Sequence, residues 1–411
     1  MREWLRLLEA KGVDVLAMEQ NIQNWSIKSL IDKVKNRFNN QFNGDDTEDF
    51  SHEVMEAMQG CLACKACASQ CPVKVDVPDF RARFINLYHT RYFRPLKDHL
   101  VANVESMTPI MAKMPKLVNS VLASNVYDKL SQVTIGYVDT PLLSIPTLTH
   151  RTAEHNFTPF DLSKLKSMPV DERAKSLLIV QDPFTSFYDA KVVEDFMLLV
   201  KKLGFDPILL PFKPNGKPQH VKGFLAKFAK TAKSTAEFLN QVHQLALPMV
   251  GLDASMVLCF RDEYKQVLGN NRGDFEVKLA HEWLISIIEE KASTSINPAD
   301  NQSTIAYKLF AHCTEKTALA GSEGQWQHIF KHFGLNLANV SVGCCGMAGT
   351  YGHEKVNLDN STSLYKMSWQ NKVAELTTEQ VLVTGYSCRS QIKRLDNKVT
   401  LHPVQALLAA L

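Results

Sequence analysis

The sequence lacks the features that mark several protein classes. Its 46 Lys and Arg against 43 Asp and Glu leave a formal net charge of +3, too small for a nucleic-acid binder that works by neutralising phosphates. No run approaches the ~20 consecutive apolar residues of a membrane-spanning helix. The first residues, MREWLRLLEA, do not resemble a signal peptide. We therefore expect a cytoplasmic protein that has no transmembrane segment and binds no nucleic acid.

Common cofactor and hydrolase motifs are missing too. The chain contains no G-x-G-x-x-G after a strand-like run, no G-x-x-x-x-G-K-[ST] and no nucleophile elbow. We therefore expect no catalytic residue and no organic cofactor in this chain.

Cysteine, by contrast, is abundant and clustered. The chain has nine cysteines, an odd number, and four of them lie between positions 61 and 71. Secreted disulfide scaffolds are usually short and have an even number of cysteines, whereas a long intracellular chain uses clustered thiols for metal or redox chemistry. Metal chemistry is the leading interpretation.

The strongest motif is GCLACKACASQCPVKVDVP, in which Cys61, Cys64, Cys67 and Cys71 precede a proline with the spacing C-x2-C-x2-C-x3-C-P. This spacing is typical of iron–sulfur proteins and lets three thiolates reach three irons of a cubane. Structural zinc, which prefers two separated C-x2-C pairs, is the alternative. Either all four thiols hold one 4Fe-4S cluster, or Cys71 serves elsewhere and a remote cysteine completes the set.

The pattern along the chain predicts an α+β multidomain protein, with a helical ferredoxin-type domain followed by an α/β domain. We expect a helical arm or linker at 1–50, the helical 4Fe-4S domain at 51–135, a linker at 136–172 and the α/β domain at 173–411. The last domain contains two pseudo-repeats, at about 176–260 and 305–390, because Gly204 and Gly216 match Gly334 and Gly346. In this overlay, the positions of Cys313, Cys344 and Cys345 hold Asp182, Pro214 and Asn215 in the first repeat. The last apolar runs end at Cys259 and Cys388, but an ungapped overlay of them places Ser255 opposite Cys388, so this register stays open.

The second cysteine set consists of Cys313, the adjacent pair Cys344 and Cys345, and Cys388. Adjacent cysteines rarely form a disulfide with each other because the required geometry strains the peptide between them. Glycines around the pair would allow a close approach to an inorganic cluster. A second cluster or redox-active thiols are therefore favoured over inert buried thiols.

Other polar residues are weaker candidates. Cys259 ends an apolar run and is assigned to the core, although it could reach the second set. His312 and His353 flank the cysteine segments and could bind a metal or transfer protons, but a supporting or surface role is favoured. A solvated basic helix face is the favoured interpretation of Arg81, Arg83, Arg91 and Arg94. Asp262 and Glu263 are expected to pair with Arg261 or to lie at a helix N-terminus.

These motifs together resemble a known family. The first cysteine run, combined with GCCGMAGTYGHE, is similar to the glycolate oxidase iron–sulfur subunit, the anaerobic glycerol-3-phosphate dehydrogenase small subunit and the heterodisulfide reductase subunits with a cysteine-rich CCG domain. The segments FRARFINLYHTRYFRP, CFRDEY, AHCTEKTAL and SCRSQ resemble the C-terminal half of large single-chain FAD-linked oxidases, of the D-2-hydroxyglutarate or D-lactate dehydrogenase type. The resemblance covers about residues 50–411.

The resemblance implies an electron-transfer module. Cys61, Cys64, Cys67 and Cys71 match the ferredoxin-type ligands, and the second set matches the CCG cysteines. One 4Fe-4S cluster is expected and a second is possible on this pattern. FAD is expected on a flavoprotein partner or a missing domain, and the electron acceptor is a quinone or a soluble carrier. Peripheral contact with the inner face of a membrane stays open.

Two departures from the family pattern raise alternatives. The first repeat has no vicinal cysteine pair, and Cys388 is followed by Arg389, Ser390 and Gln391 instead of completing C-x-x-C. The CCG cysteines could therefore act as a reducible dithiol on a disulfide substrate. In a third interpretation, the cluster only stabilises an assembly subunit.

Overall fold

The structure, a computed structural model, describes residues 2–14, 31, 33–34, 50–73, 75–290 and 305–411. Most of the arm expected at 1–50 therefore lies outside the described residues. The chain divides into two compact units. The first unit contains residues 1–104 and 216–231, and the second contains residues 105–215 and 232–411. None of the helices among the described residues has the length and apolarity needed to cross a membrane.

Helices dominate both units. In the first part of the chain they are α1 (Arg2–Ala10), α2 (Ser51–Gln59), α3 (Ala66–Gln70), α4 (Val77–Arg91), α5 (Leu96–Ala102), α6 (Val104–Met111), α7 (Pro115–Leu122), α8 (Asn125–Thr134), α9 (Leu148–Ala153), α10 (Leu162–Ser167) and α11 (Val170–Arg173). They continue as α12 (Pro183–Tyr188), α13 (Ala190–Lys202), α14 (Lys217–Val221), α15 (Leu225–His243), α16 (Ala254–Arg261), α17 (Glu263–Leu268), α18 (Ala280–Glu290), α19 (Cys313–Ala318), α20 (Ser322–His332), α21 (Leu358–Ser368), α22 (Gln370–Ala374), α23 (Tyr386–Asp396) and α24 (Pro403–Ala410).

The first unit has a small aromatic core. Trp4 of α1 packs edge-to-face on Phe84 of α4, with ring centroids 4.8 Å apart, and its indole N–H donates to the Ser51 hydroxyl at 2.9 Å. Helix α4 begins at a defined point because the Asp76 carboxylate accepts the backbone N–H of Asp79 at 3.0 Å. These contacts hold α2 and α4 on either side of the first cysteine run.

The second unit contains two parallel sheets. Their strands are β1 (Ser176–Ile179), β2 (Asp206–Leu209), β3 (Met249–Gly251), β4 (Lys278–Leu279), β5 (Ala306–Phe310), β6 (Asn336–Asn339) and β7 (Val381–Val383). The strand orders are β2-β1-β3-β4 and β6-β5-β7. All four residues of β1 and all three of β7 are buried, as expected for parallel strands covered on both faces. Both sheets contribute to one core, through Leu177 and Leu309.

Both sheets have the same local topology. The first residue of each central strand pairs with the first residue of the next strand, Ser176 with Asp206 and Ala306 with Asn336. The third strand then pairs on the other side of the central strand, so the chain reverses its direction of travel across the sheet. Such a switch point opens a crevice at the carboxyl ends of the strands, where α/β proteins bind ligands.

Two buried carboxyl groups lie at the switch point of the first sheet. Asp182 accepts the N–H groups of Phe184 and Thr185 at 2.8 and 2.9 Å and caps α12. Asp253 caps α16 and accepts the Tyr386 N–H at 3.4 Å. Both line a small cavity with room for about one water molecule. Burial, followed by the charge of Asp253, raises the pKa of Asp182 to about 7.

This raised pKa predicts a pH-dependent stability. The folded protein holds a proton on Asp182 up to about pH 7, whereas the unfolded chain loses it near 3.8. The stabilisation from this group is therefore complete below about pH 3.8 and is lost as the pH rises to about 7. Asp182→Asn, neutral at every pH, should melt at a higher temperature than the wild type at about pH 8, with the difference vanishing near pH 4.

Thermal unfolding followed by circular dichroism across this pH range measures the effect. Exposed Asp171→Asn is the control and should shift the melting temperature equally little at all pH values. A difference between wild type and Asp182→Asn that does not change with pH would contradict the raised pKa.

Candidate functional site

The first cysteine run lies in the first unit, in a tight loop between α2 and α4. Ala63 and Lys65 have positive φ angles of 50° and 59°, which are uncommon for residues other than glycine and turn the chain twice between successive cysteines. Helix α3 carries Cys67, and the Cys71 N–H closes it on the Cys67 carbonyl at 3.0 Å. All four thiols are partly exposed, and none forms a disulfide.

Charged side chains fix this loop at both ends. The Lys65 ammonium lies 3.4 Å from the Asp76 carboxylate, which also caps α4. At the other end, the Arg81 guanidinium donates to the Met58 carbonyl at 2.9 Å, in the last turn of α2. The positive charge of Lys65 lies within the cysteine run itself.

The donors of this run fit an iron–sulfur cluster in type and number. Four thiols within one loop, followed by Pro72, are what a cubane requires. In the part of the chain that the structure describes, no group of three or more His, Cys, Asp or Glu is arranged to hold a metal ion. A cluster at this loop therefore stays a prediction from the donor set and its spacing.

The second cysteine set lies at the switch point of the second sheet. Cys313 is the first residue of the helix after β5, Cys344 and Cys345 lie in the loop after β6, and Cys388 is in the first turn of the helix after β7. The pKa values of these thiols depend on one another in the order Cys313, Cys344, Cys345, Cys388, so each thiol lies within reach of the next. The structure thus brings together four cysteines from three segments that are far apart in sequence.

Two glycines allow this packing. Gly346 has a φ of 84°, and a Cβ there would overlap the Ser361 carbonyl. A Cβ on Gly385 would overlap the His312 ring. The Gly346 N–H also points at the Cys344 sulfur at 3.4 Å, the kind of backbone donor that stabilises a sulfur anion.

The thiols of this set are hard to ionise. The hydrogen bond that Cys313 donates to Cys344, together with burial, raises the pKa of Cys313 well above its usual value. At Cys344 the bond with Cys313 lowers the pKa, but the bond with Cys345 and burial outweigh it and raise the pKa to about 12. The pKa of Cys345 is likewise raised, because the bond with Cys388 and burial outweigh the opposing bond with Cys344. In the absence of a bound metal ion, Cys313, Cys344 and Cys345 are therefore protonated thiols at neutral pH.

The structure corrects the overlay of the two repeats. Asp182 and His312 both immediately precede the helix after the central strand, so Asp182 corresponds to His312 and not to Cys313. Cys388 is the third residue of α23, and the third residue of α16 is Met256, not Ser255. The overlay aligned the ends of apolar runs, whereas the equivalence is set by where each helix begins. The first sheet has no thiol at these positions.

The remaining candidate residues are buried supports. The His353 ring donates to the Val138 carbonyl at 3.1 Å, and burial lowers the pKa of His353 to about 4. His312 is also buried, and its Nδ1 has no hydrogen-bond partner among the described residues. The surface interpretation of both histidines is therefore wrong. Cys259 is fully buried in α16, as a core residue.

Two expectations about charged residues are wrong in part. Arg81 is buried, and Arg94 donates to the Gly223 carbonyl at 3.1 Å while stacking on Phe224, so these two do not form a solvated basic face. Arg261 forms its ion pair with Glu282, not with Asp262 or Glu263. Those two acidic residues lie instead at the N-terminus of α17, which is the other placement expected for them.

Arg389 is a supporting residue that the sequence analysis did not select. Its guanidinium is buried beside Cys388 and donates to the carbonyls of Val383 and Thr384 at the end of β7, and to Asp189 at 2.9 Å. It thus ties β7 to the helix that carries Cys388. Its position directly after Cys388, in SCRSQ, was the one sequence feature that could have marked it as part of the site.

The chain is similar over nearly its whole length to D-2-hydroxyglutarate dehydrogenases of several bacteria. It is 54% identical over 410 residues to D-2-hydroxyglutarate dehydrogenase of Escherichia coli (strain K12), covering 99% of this chain and 39% of that protein. The corresponding protein of Haemophilus influenzae is 48% identical over 416 residues, covering 100% of this chain and 40% of that protein. The chain thus spans about two fifths of the length of these curated relatives.

Two further comparisons give lower sequence identity and cover a smaller share of this chain. One component of the anaerobic glycerol-3-phosphate dehydrogenase of Escherichia coli (strain K12), its C subunit, is 24% identical over 233 residues, covering 56% of this chain and 57% of that protein. A solved structure of a hypothetical protein from Helicobacter pylori aligns with a TM-score of 0.37 at 10% identity, over 81% of this chain and 71% of that one. No family model matches the chain. Over its whole length the chain is similar to part of the D-2-hydroxyglutarate dehydrogenases.

Proposed function

We propose that this chain is the iron–sulfur electron-transfer module of a flavin-dependent D-2-hydroxyacid dehydrogenase. The hydroxy acid is oxidised by an FAD-bearing partner or domain, and electrons leave through this chain to a quinone or a soluble carrier. The observation that supports this most is the presence of two cysteine sets without disulfides, in a chain similar to part of a D-2-hydroxyglutarate dehydrogenase.

The first cysteine set would supply the electron-carrying centre. When bound, a 4Fe-4S cluster takes up and passes on single electrons at a potential set by charge, hydrogen bonds to sulfur and solvent exposure. Cys61, Cys64, Cys67 and Cys71 would hold it. The Lys65 ammonium within the run is paired with the Asp76 carboxylate at 3.4 Å, so the pair positions the loop and adds no net charge beside a bound centre.

The second cysteine set would be a further relay or the exit for electrons. A metal bound there would have to displace protons from thiols with raised pKa values, such as Cys344. The bond with Cys345 lowers the pKa of Cys388, and the buried positive charge of Arg389 acts in the same direction, but burial outweighs them and leaves this pKa raised.

Replacement of one ligand of the first set tests the proposal. Cys64→Ser should remove the absorbance at ~400 nm and most of the iron of the first cluster, because one of its thiolates is lost. The second unit should stay folded, since Cys64 belongs to the first unit. Iron and acid-labile sulfide assays, with circular dichroism as the folding measurement, check this on anaerobically purified protein.

Cys259→Ala is the matched control, because this cysteine is a core residue of α16, and iron content should not change. Cys64→Ser protein with a wild-type iron content would refute the assignment. About four irons per wild-type chain would indicate one cluster, and about eight would place another at the second set. Zinc in place of iron would favour the structural zinc alternative.

A second candidate function is supported by the hydrogen-bonded thiols. Cys344 and Cys313 could act as a dithiol, with one thiolate attacking a substrate disulfide and the second resolving the mixed disulfide. The two thiols become one disulfide, and the substrate disulfide becomes two thiols. The raised pKa values oppose this reaction at neutral pH, because thiolate is the nucleophile.

The pH dependence of alkylation measures this barrier. In protein stripped of metal by a chelator, the rate of Cys344 alkylation should rise about tenfold per pH unit between about pH 7 and 10, because the thiolate fraction keeps rising up to its pKa of about 12. Iodoacetamide labelling followed by peptide mass spectrometry gives the rate. A plateau below about pH 9 would contradict the raised pKa and favour the dithiol function.

A further inference from the structure

Three successive helices of the second unit expose a series of apolar side chains. On α8, Val126, Leu130 and Val133 follow one helix face and are 77%, 59% and 83% exposed. Ile110 on α6 is 68% exposed, and Leu117 on α7 is 57% exposed. We call these residues, with Met107, Met114 and Val121, the apolar face. Single exposed apolar side chains are common on monomeric proteins, whereas the row of three on one face of α8, with more on the two helices before it, is a candidate interaction surface.

The opposite sides of these helices are polar. The buried residues are Glu105 and Thr108 on α6 and Ser131 on α8, and α7 has none. An amphipathic surface helix normally buries its apolar side, so this arrangement is inverted.

Hydrogen bonds hold the polar sides of these helices against the second unit. The Asn119 amide of α7 exchanges two 2.9 Å bonds with the backbone of Leu143. The Ser131 hydroxyl donates to the Tyr137 carbonyl at 3.2 Å, and Glu105 accepts the Asn215 N–H at 2.8 Å. The polar side is therefore used within the chain, and the apolar face is left for a partner.

The margin of the apolar face is basic. Lys113, Lys116 and Lys129 are exposed, and Asp128, the acidic residue between 106 and 134, accepts a bond from Gln132 at 2.8 Å. A partner of this surface needs an apolar centre with acidic groups around it.

We propose that the apolar face docks against the part of the D-2-hydroxyglutarate dehydrogenase chain that has no counterpart in this chain. The inference rests on the proposed function, in which that part supplies the electrons. The relative from E. coli matches 99% of this chain, yet the match is only 39% of its own length, so the larger share of that protein is available to cover this surface.

A membrane fits the surface less well. Helices that lie in a bilayer interface carry Trp, Phe or Leu on their apolar side, and the apolar face has Leu117 and Leu130 but neither Trp nor Phe.

Hydrogen exchange tests the docking. A hybrid is made in which this chain replaces the matched segment of the E. coli relative. Backbone amides of residues 107–133 should exchange about tenfold more slowly in the hybrid than in the 411-residue chain alone. The triple variant Ile110→Ser, Leu117→Ser and Leu130→Ser should abolish this protection.

The control variant is Val356→Ser, Met367→Ser and Val399→Ser, which changes equally exposed apolar residues elsewhere in the second unit and should keep the protection. Equal exchange in hybrid and isolated chain would overturn the proposal. If the hybrid does not fold, the aligned segment of the intact E. coli relative is compared with the isolated chain, with the same two outcomes.

Other occupants give distinct results in the isolated chain. Co-sedimentation with phosphatidylglycerol vesicles that is lost in the triple variant would assign the apolar face to a membrane. A dimer in sedimentation velocity that is lost in the triple variant would assign it to a second copy of this chain. Either result would overturn the proposal.

Iron content separates this test from the proposed function. Protection without iron would contradict the electron-transfer proposal alone, and iron without protection would contradict the docking alone.

Discussion

The parallel arrangement of β5, β6 and β7 is the constraint on which the second cysteine set depends. Because parallel strands end at the same edge, the segments that follow them converge even when they are far apart in sequence. Cys313, Cys345 and Cys388 follow three different strands and meet at that edge. Any substitution that shifted one strand by a residue would separate the thiols, so the backbone register fixes the chemistry of the site.

The same constraint explains which parts of the site sequence reasoning could reach. The spacing of Cys61 to Cys71 is local, so its metal-binding interpretation needs no tertiary information, and it stays a prediction. The ends of the apolar runs before Cys313 and Cys388 are also visible in sequence. The helix starts at Asp182 and His312 are not, because a cap depends on where the strand before it leaves the sheet. The overlay was therefore wrong by one residue at these positions.

Burial favours the protonated form of the groups at both switch points, with a different consequence in each sheet. At the first switch point it keeps a proton on Asp182, whose carboxyl group is satisfied as a helix cap. At the second it keeps protons on thiols that could bind metal only after losing them. Charged groups near the thiols influence how readily they lose a proton. Arg389 beside Cys388 is one, and it pairs with Asp189, which lies 200 positions away in the sequence, so the sequence pattern does not predict this pair.

The apolar face shows a different limit of sequence reasoning. The spacing of Val126, Leu130 and Val133 predicts a helix with an apolar side, but periodicity is the same whether that side faces the core or a partner. The hydrogen bonds on the polar side of the helix determine which side faces the rest of the chain. Here Asn119 and Ser131 find backbone partners within the chain, and these bonds hold the polar side inward. The helices are thus oriented by their hydrogen bonds, and the apolar side chains outside become a surface that only another polypeptide region of matching chemistry would complete.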